Sequence, residues 1–141
     1  MTAFTKFQPF VEAVAEKVHN LGSDTLKVAL TNSAPSASNA VLADITQISG
    51  TNGYTTGGAT CTTTSSAQTS GTYKLVISAA APTWTASGGS MGPFQYVVLY
   101  NDTSASDNLI GYYNHGSAVT LASGETYTVT FDATNGVLQL V

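Results

Sequence analysis

Past Gly22 the apolar residues of this chain stop recurring every three or four positions and begin to alternate, and this change of period constrains the fold most. Leu26, Val28 and Leu30 alternate with Lys27, Ala29 and Thr31, and Tyr73, Leu75 and Ile77 with Lys74, Val76 and Ser78. Tyr127, Val129 and Phe131 alternate with Thr126, Thr128 and Thr130. Each such segment reads as a strand with one face inward. Residues 94–100 are almost continuously apolar between turn residues, which fits a strand covered on both faces and central in its sheet. Residues 59–64, 82–86 with the lone Trp84, 109–113 and 118–121 add further β-rich segments. The loop 132–136 ends in Asn-Gly and predicts a hairpin returning the 127–131 strand along 137–141. About eight strands at ~8–12-residue spacing predict an all-β fold, a jelly-roll-like antiparallel β-sandwich.

The first 22 residues follow a different rule. Phe10, Val14, Val18 and Leu21 recur at helical spacing, with Pro9 suited to the first turn, Lys17 and His19 to the negative end of the dipole, and Gly22 to the C′ position. This predicts a short amphipathic helix of about three turns, preceded by an arm carrying Phe4 and Phe7 that a compact domain need not bury. The division expected is therefore an N-terminal arm and helix over 1–22 and a β-sandwich domain over 23–141. Residues 32–58 read mostly as a surface excursion around the apolar patch Val41, Leu42 and Ile45, which fits either a helical turn or a short strand.

Charge narrows the function. Only 9% of the 141 residues are charged, arginine is absent, and eight acids against four lysines give a net charge of −4; an average soluble domain carries about 25% charge. A groove that neutralises several phosphates cannot be built from this inventory, so no nucleic-acid partner is expected. Bidentate guanidinium recognition of carboxylate or phosphate is excluded likewise. One cysteine, Cys61, permits no intramolecular disulfide. No run approaches the ~18 apolar residues of a membrane span, and the N-terminal residues lack signal-peptide order. A soluble chain made in the cytoplasm is expected, with no membrane partner.

Candidate chemistry is sparse. His19 reads as a dipole cap. His115 sits in Asn-His-Gly, read as a turn, with no neighbouring partner that marks a base and no Gly-x-Ser-x-Gly elbow elsewhere. The loop 101–108 concentrates oxygen groups but lacks the glycine and terminal glutamate of an EF-hand, so Asx-turns are favoured over Ca²⁺. Gly57-Gly58 and Gly88-Gly89 lead into no helix signal or Lys-Ser/Thr pair. Cys61 has no zinc spacing. The tyrosines and Trp84 read as core and cross-strand pairs before a sugar platform. No catalytic residue, metal or cofactor is expected; a glycosidase would need two facing carboxylates.

The segments 21–32, 52–54, 96–103, 109–112 and 124–129 together resemble a family of small tailed-bacteriophage virion proteins akin to capsid cement or decoration proteins with a jelly-roll fold. The likeness lies in a strand-and-turn framework, and no functional residue is carried over from it. It implies a non-enzymatic structural protein, made in the host cytoplasm, that sits on the capsid exterior and stabilises the shell by binding major capsid protein subunits. A tail- or fibre-associated receptor module holding glycans is the competing role. Phe4, Phe7, Phe10, Val14, Val18 and Leu21 are the expected contacts with the shell or a second copy, against the alternative that the helix merely closes the sandwich. A homodimer, the simplest symmetric assembly, is expected.

Overall fold

The computed structural model describes residues 4–78 and 82–141. Residues 1–3 of the expected arm lie outside the described residues. The elements, in chain order, are β1 (Thr5–Lys6), α1 (Gln8–Ala15), β2 (Leu26–Thr31), a 3-10 turn (Leu42–Asp44), β3 (Ala59–Thr60), β4 (Thr63–Thr69), β5 (Thr72–Ile77), β6 (Thr83–Thr85), β7 (Met91–Asn101), β8 (Leu109–Leu121), β9 (Thr126–Thr128) and β10 (Leu138–Leu140). Among the described residues every strand pairing is antiparallel, in sheets ordered β1-β8-β7-β2-β3, β10-β5-β4 and β6-β9. One apolar core collects Val28 and Leu30 of β2, Leu75 and Ile77 of β5, Trp84 of β6, Phe94 and Val97 to Tyr100 of β7, and Leu109 and Ile110 of β8. The fold is thus all-β and sandwich-like, with one short helix. As its apolar run predicts, β7 is interior to its sheet, pairing with β2 on one side and β8 on the other.

The N-terminal arm is part of this framework rather than outside it. Thr5 and Lys6 pair with Tyr112 and Gly111 of β8, and the Phe7 amide donates to Ile110 O at 3.1 Å. Left uncovered, β8 would present a row of unpaired backbone groups at the sheet edge. Phe7 is completely buried, with its ring centroid 5.2 Å from that of Tyr112. Gly111 makes the approach possible, because a Cβ there would collide with the Phe4 ring and stand 2.6 Å from Thr5 O.

The excursion 32–58 runs mostly over the surface, as expected, but it is pinned to the core at two points. Val41 bridges Asn108 before the 3-10 turn, so the patch is both a bridge and a helical turn. Ile45 and Tyr54 are buried. The Tyr54 hydroxyl accepts from the Leu30 amide at 3.1 Å and donates to Gln47 Oε1 at 2.6 Å, while Gln47 Oε1 also accepts from Gly57 N at 2.8 Å. β3 pairs only with Lys27 and Val28 of β2, and the phenol serves Leu30 beyond that reach. Burial pushes the Tyr54 hydroxyl up to about 12.

Three further expectations change. The Thr-rich tract 59–64 divides at buried Cys61, β3 joining the five-stranded sheet and β4 the three-stranded one. Residues 109–113 and 118–121 belong to the single strand β8, so His115 lies within a strand, not a turn. The 132–136 loop does not close a hairpin. Asp132 Oδ1 accepts from Thr134 N and Asn135 N at 2.8 and 2.9 Å, and the chain then crosses to β5, where Val137 N donates to Leu75 O at 2.7 Å. β9 pairs instead with β6, and the Thr83 and Thr128 hydroxyls meet at 2.8 Å.

Candidate interaction surface

The helix stops two turns early, and this sets the surface. Val18 N donates to Ala13 O at 2.9 Å and Lys17 N to Val14 O at 3.4 Å, with Lys17 left-handed at φ 69°. That is a Schellman ending, with lysine where glycine is usual. Residues 18–24 then run as an irregular strap rather than helix, so Gly22 is not a cap and His19 does not neutralise the dipole.

Of the six expected contact residues, Phe7 and Phe10 point into the core, and Phe4 is half-buried with its ring 5.1 Å from Tyr113. Of the residues that the helical period groups, only Phe10 and Val14 lie on α1, and Phe10 closes the core. Val14, Val18 and Leu21 remain partly or largely accessible. They line a groove between the helix and strap on one side and β5 and β10 on the other, with Tyr73, Leu138 and Leu140 opposite. The large hydrophobics exposed among the described residues are Val11 at 58%, Val18 at 39%, Leu140 at 63% and Val141 at 97%. Val11, Val18 and Leu140 line this groove, and Val141 continues from Leu140. An apolar cluster rimmed by polar residues is the usual mark of a contact surface. Nothing in the sequence marks β10 as part of it, because the Asn-Gly turn predicts 137–141 beside 127–131, whereas β10 pairs with β5.

His19 backs the groove. It is 9% exposed, its ring 5.1 Å from Phe10, and its Nδ1 lies 3.0 Å from Asn101 Nδ2. Asn101 Nδ2 also donates to Asp24 Oδ2 at 2.6 Å, and Asn20 N donates to the same oxygen at 2.8 Å. Burial lowers the His19 pKa, with the Asp24 carboxylate opposing.

The remaining candidates resolve structurally. Asn101 Oδ1 accepts from Thr103 N and Ser104 N at 2.9 and 3.2 Å, and Ser104 Oγ accepts from Asn108 N at 2.8 Å, so the 101–108 loop is closed by its own Asx-turn. Several acids serve as turn locks. Asp44 accepts from the Ala40 and Val41 amides, Glu125 from Ala122, and Asp132 as above, while Asp102 pairs with Lys27 at 3.4 Å. Among the described residues no three His, Cys, Asp or Glu side chains gather as a metal set. His115 is exposed beside Tyr127. Trp84 is core, its ring 6.2 Å from Tyr54, and so offers no sugar platform. Burial pushes the Cys61 thiol up to about 12, away from the reactive thiolate. Gly58 lies against the Val28 carbonyl, a close approach with no phosphate cradle in it. Among the described residues no helix is long and apolar enough to cross a membrane.

Compared with known proteins, the chain matches no protein family, no curated protein and no solved structure.

Proposed function

We propose that this chain is a non-enzymatic virion structural protein that decorates a phage capsid shell by binding its major capsid protein subunits, with the groove between α1, the 18–24 strap and β10 as its docking face. The observation that carries the reading is the gathering of Val11, Val18 and Leu140 along one groove of a molecule whose commonest outward residues are Thr and Ser. A low-charge face can be buried against a large assembly with little ionic desolvation, and the apolar cluster supplies the favourable term. The strand-and-turn resemblance to phage cement proteins supplies the partner class. Self-association through the same face is the companion reading, because a two-fold contact would cover the same hydrophobics twice.

Co-sedimentation tests the docking face. Shells assembled from the cognate major capsid protein should carry the wild-type chain and release a variant whose groove bears charge, Leu140→Asp. Equal occupancy by both would remove the groove from the proposal.

A further inference from the structure

The tautomer of His19 follows from the hydrogen bonds of Asn101. Asn101 Oδ1 already accepts two backbone amides, so the amide group of Asn101 is oriented with Nδ2 toward His19 and Asp24. Nδ2 is a donor only, and its two hydrogens go to Asp24 Oδ2 and His19 Nδ1. His19 Nδ1 must therefore be the unprotonated acceptor, and the neutral ring carries its hydrogen on Nε2. Nε2 is buried and has no hydrogen-bond partner among the described residues.

A proton added to this ring has one place to go, Nδ1, where it would face the Asn101 amide donor. Asn101 is completely buried at the end of β7, and His19 lies in the strap that forms one wall of the groove. We infer that His19 and Asn101 form a proton-sensitive latch that holds the 18–24 strap against β7 when the imidazole is neutral and releases it when the imidazole is protonated. The released ring has an acceptor at hand in the Asp24 carboxylate, which lies on the strap itself. Opening moves Val18 and Leu21 and so remodels the docking face; this consequence rests on the groove being that face, whereas the latch does not.

Among the described residues, Phe10 of α1 packs on the ring and Asn101 of β7 bonds it; Lys17 and Asp24 of the neighbouring chain, and Tyr73 of β5, whose hydroxyl meets Ser66 Oγ of β4 at 2.8 Å, line the same groove; beyond Asn101, Asp102 is paired with Lys27. Asp24 is the carboxylate that opposes the burial effect on His19.

The test uses the free protein, so its outcome is separate from that of shell binding. Native-state hydrogen exchange is followed at the amides of Asn20, Ser23 and Asp24, each hydrogen-bonded within the strap. Corrected for intrinsic rate, protection should fall by up to about thirty-fold between about pH 7.5 and about pH 5, the limit for a closed form that takes no proton and an open form with the ordinary histidine pKa. His19→Asn places an acceptor oxygen near the Nδ1 position without a titratable ring, and its protection should stay flat. Unchanged protection in the wild type, or an equal loss in His19→Asn, overturns the latch. Imidazole nitrogen shifts of the wild type give a readout that needs no variant: the Nε2–H tautomer near pH 7.5 is required, and an Nδ1–H tautomer overturns it.

Discussion

The groove's apolar content gives a binding loss that can be worked out beforehand. Consider Val11→Ser with Leu140→Ser. Leu140 is 63% exposed and Val11 58%, so docking can still remove about six-tenths of each side chain from water. Full burial of such a side chain is worth about 1.5–3 kcal/mol, so each contributes about 1–2 kcal/mol and the pair about 2–4 kcal/mol to a contact that covers both. That corresponds to a weakening of about 30- to 700-fold in Kd. Both side chains stand mainly in solvent, so the unfolding free energy should move by no more than about 0.5 kcal/mol per site. The assay is titration of cognate shells with wild-type and doubly substituted chain, scored by occupancy after sedimentation and paired with urea denaturation of each. Unchanged Kd with unchanged stability would refute the reasoning, because it would show that these hydrophobics stay wet on the assembled particle.

Four other outcomes follow from the structure. Lys17→Gly relieves a left-handed lysine at the helix end and should raise the unfolding free energy by about 0.5–1 kcal/mol in urea. Tyr54→Phe strands the buried Leu30 amide and one partner of Gln47 and should cost about 2–3 kcal/mol by the same measurement. Amide hydrogen bonds to Asp44 and Asp132 hold both carboxyls below their ordinary 3.8, so their stabilisation is complete above that value and is lost as pH falls through the lowered folded values, which acid titration by circular dichroism should follow. Cys61, with its thiol pushed up to about 12, should resist alkylation at mildly alkaline pH until the chain is unfolded, as mass spectrometry can show.

What could be read from the residues depended on whether the deciding interaction was local. β7 announces itself because both faces are covered, and β5 because its alternation matches its burial. The Asx-turn at Asn101 is legible for the same reason, since its donors lie two and three residues away. The end of α1 was hidden because the left-handed position is held by Lys17, whereas glycine at 22 gave a false stop. The last strand is not legible locally: an Asn-Gly turn predicts local return, yet the β5 edge offers Leu75 O to Val137 N and the chain takes that partner. Tyr54 was invisible as an anchor: its hydroxyl serves Leu30, a residue 24 positions away that no spacing rule connects.

The candidate surface was half legible. Helical spacing drew attention to Val14, Val18 and Leu21, which do line the groove, but it placed the buried Phe10 on the same stripe, and the arm before it carries a Phe7 that is buried as well. Their burial changes what truncation would mean. Deleting residues 1–20 removes a fully buried Phe7 and the strand that covers the β8 edge, so that deletion reports on folding, and point changes at Val11 and Leu140 are the proper probe of docking.

The central claim, that the chain decorates a capsid shell, is tested most directly by immunogold labelling of intact virions with antibody to this chain. Label distributed over the heads, with the chain co-purifying in the head fraction, is the predicted result. Label confined to tails or fibres, or a chain that stays in the non-virion fraction, would contradict it.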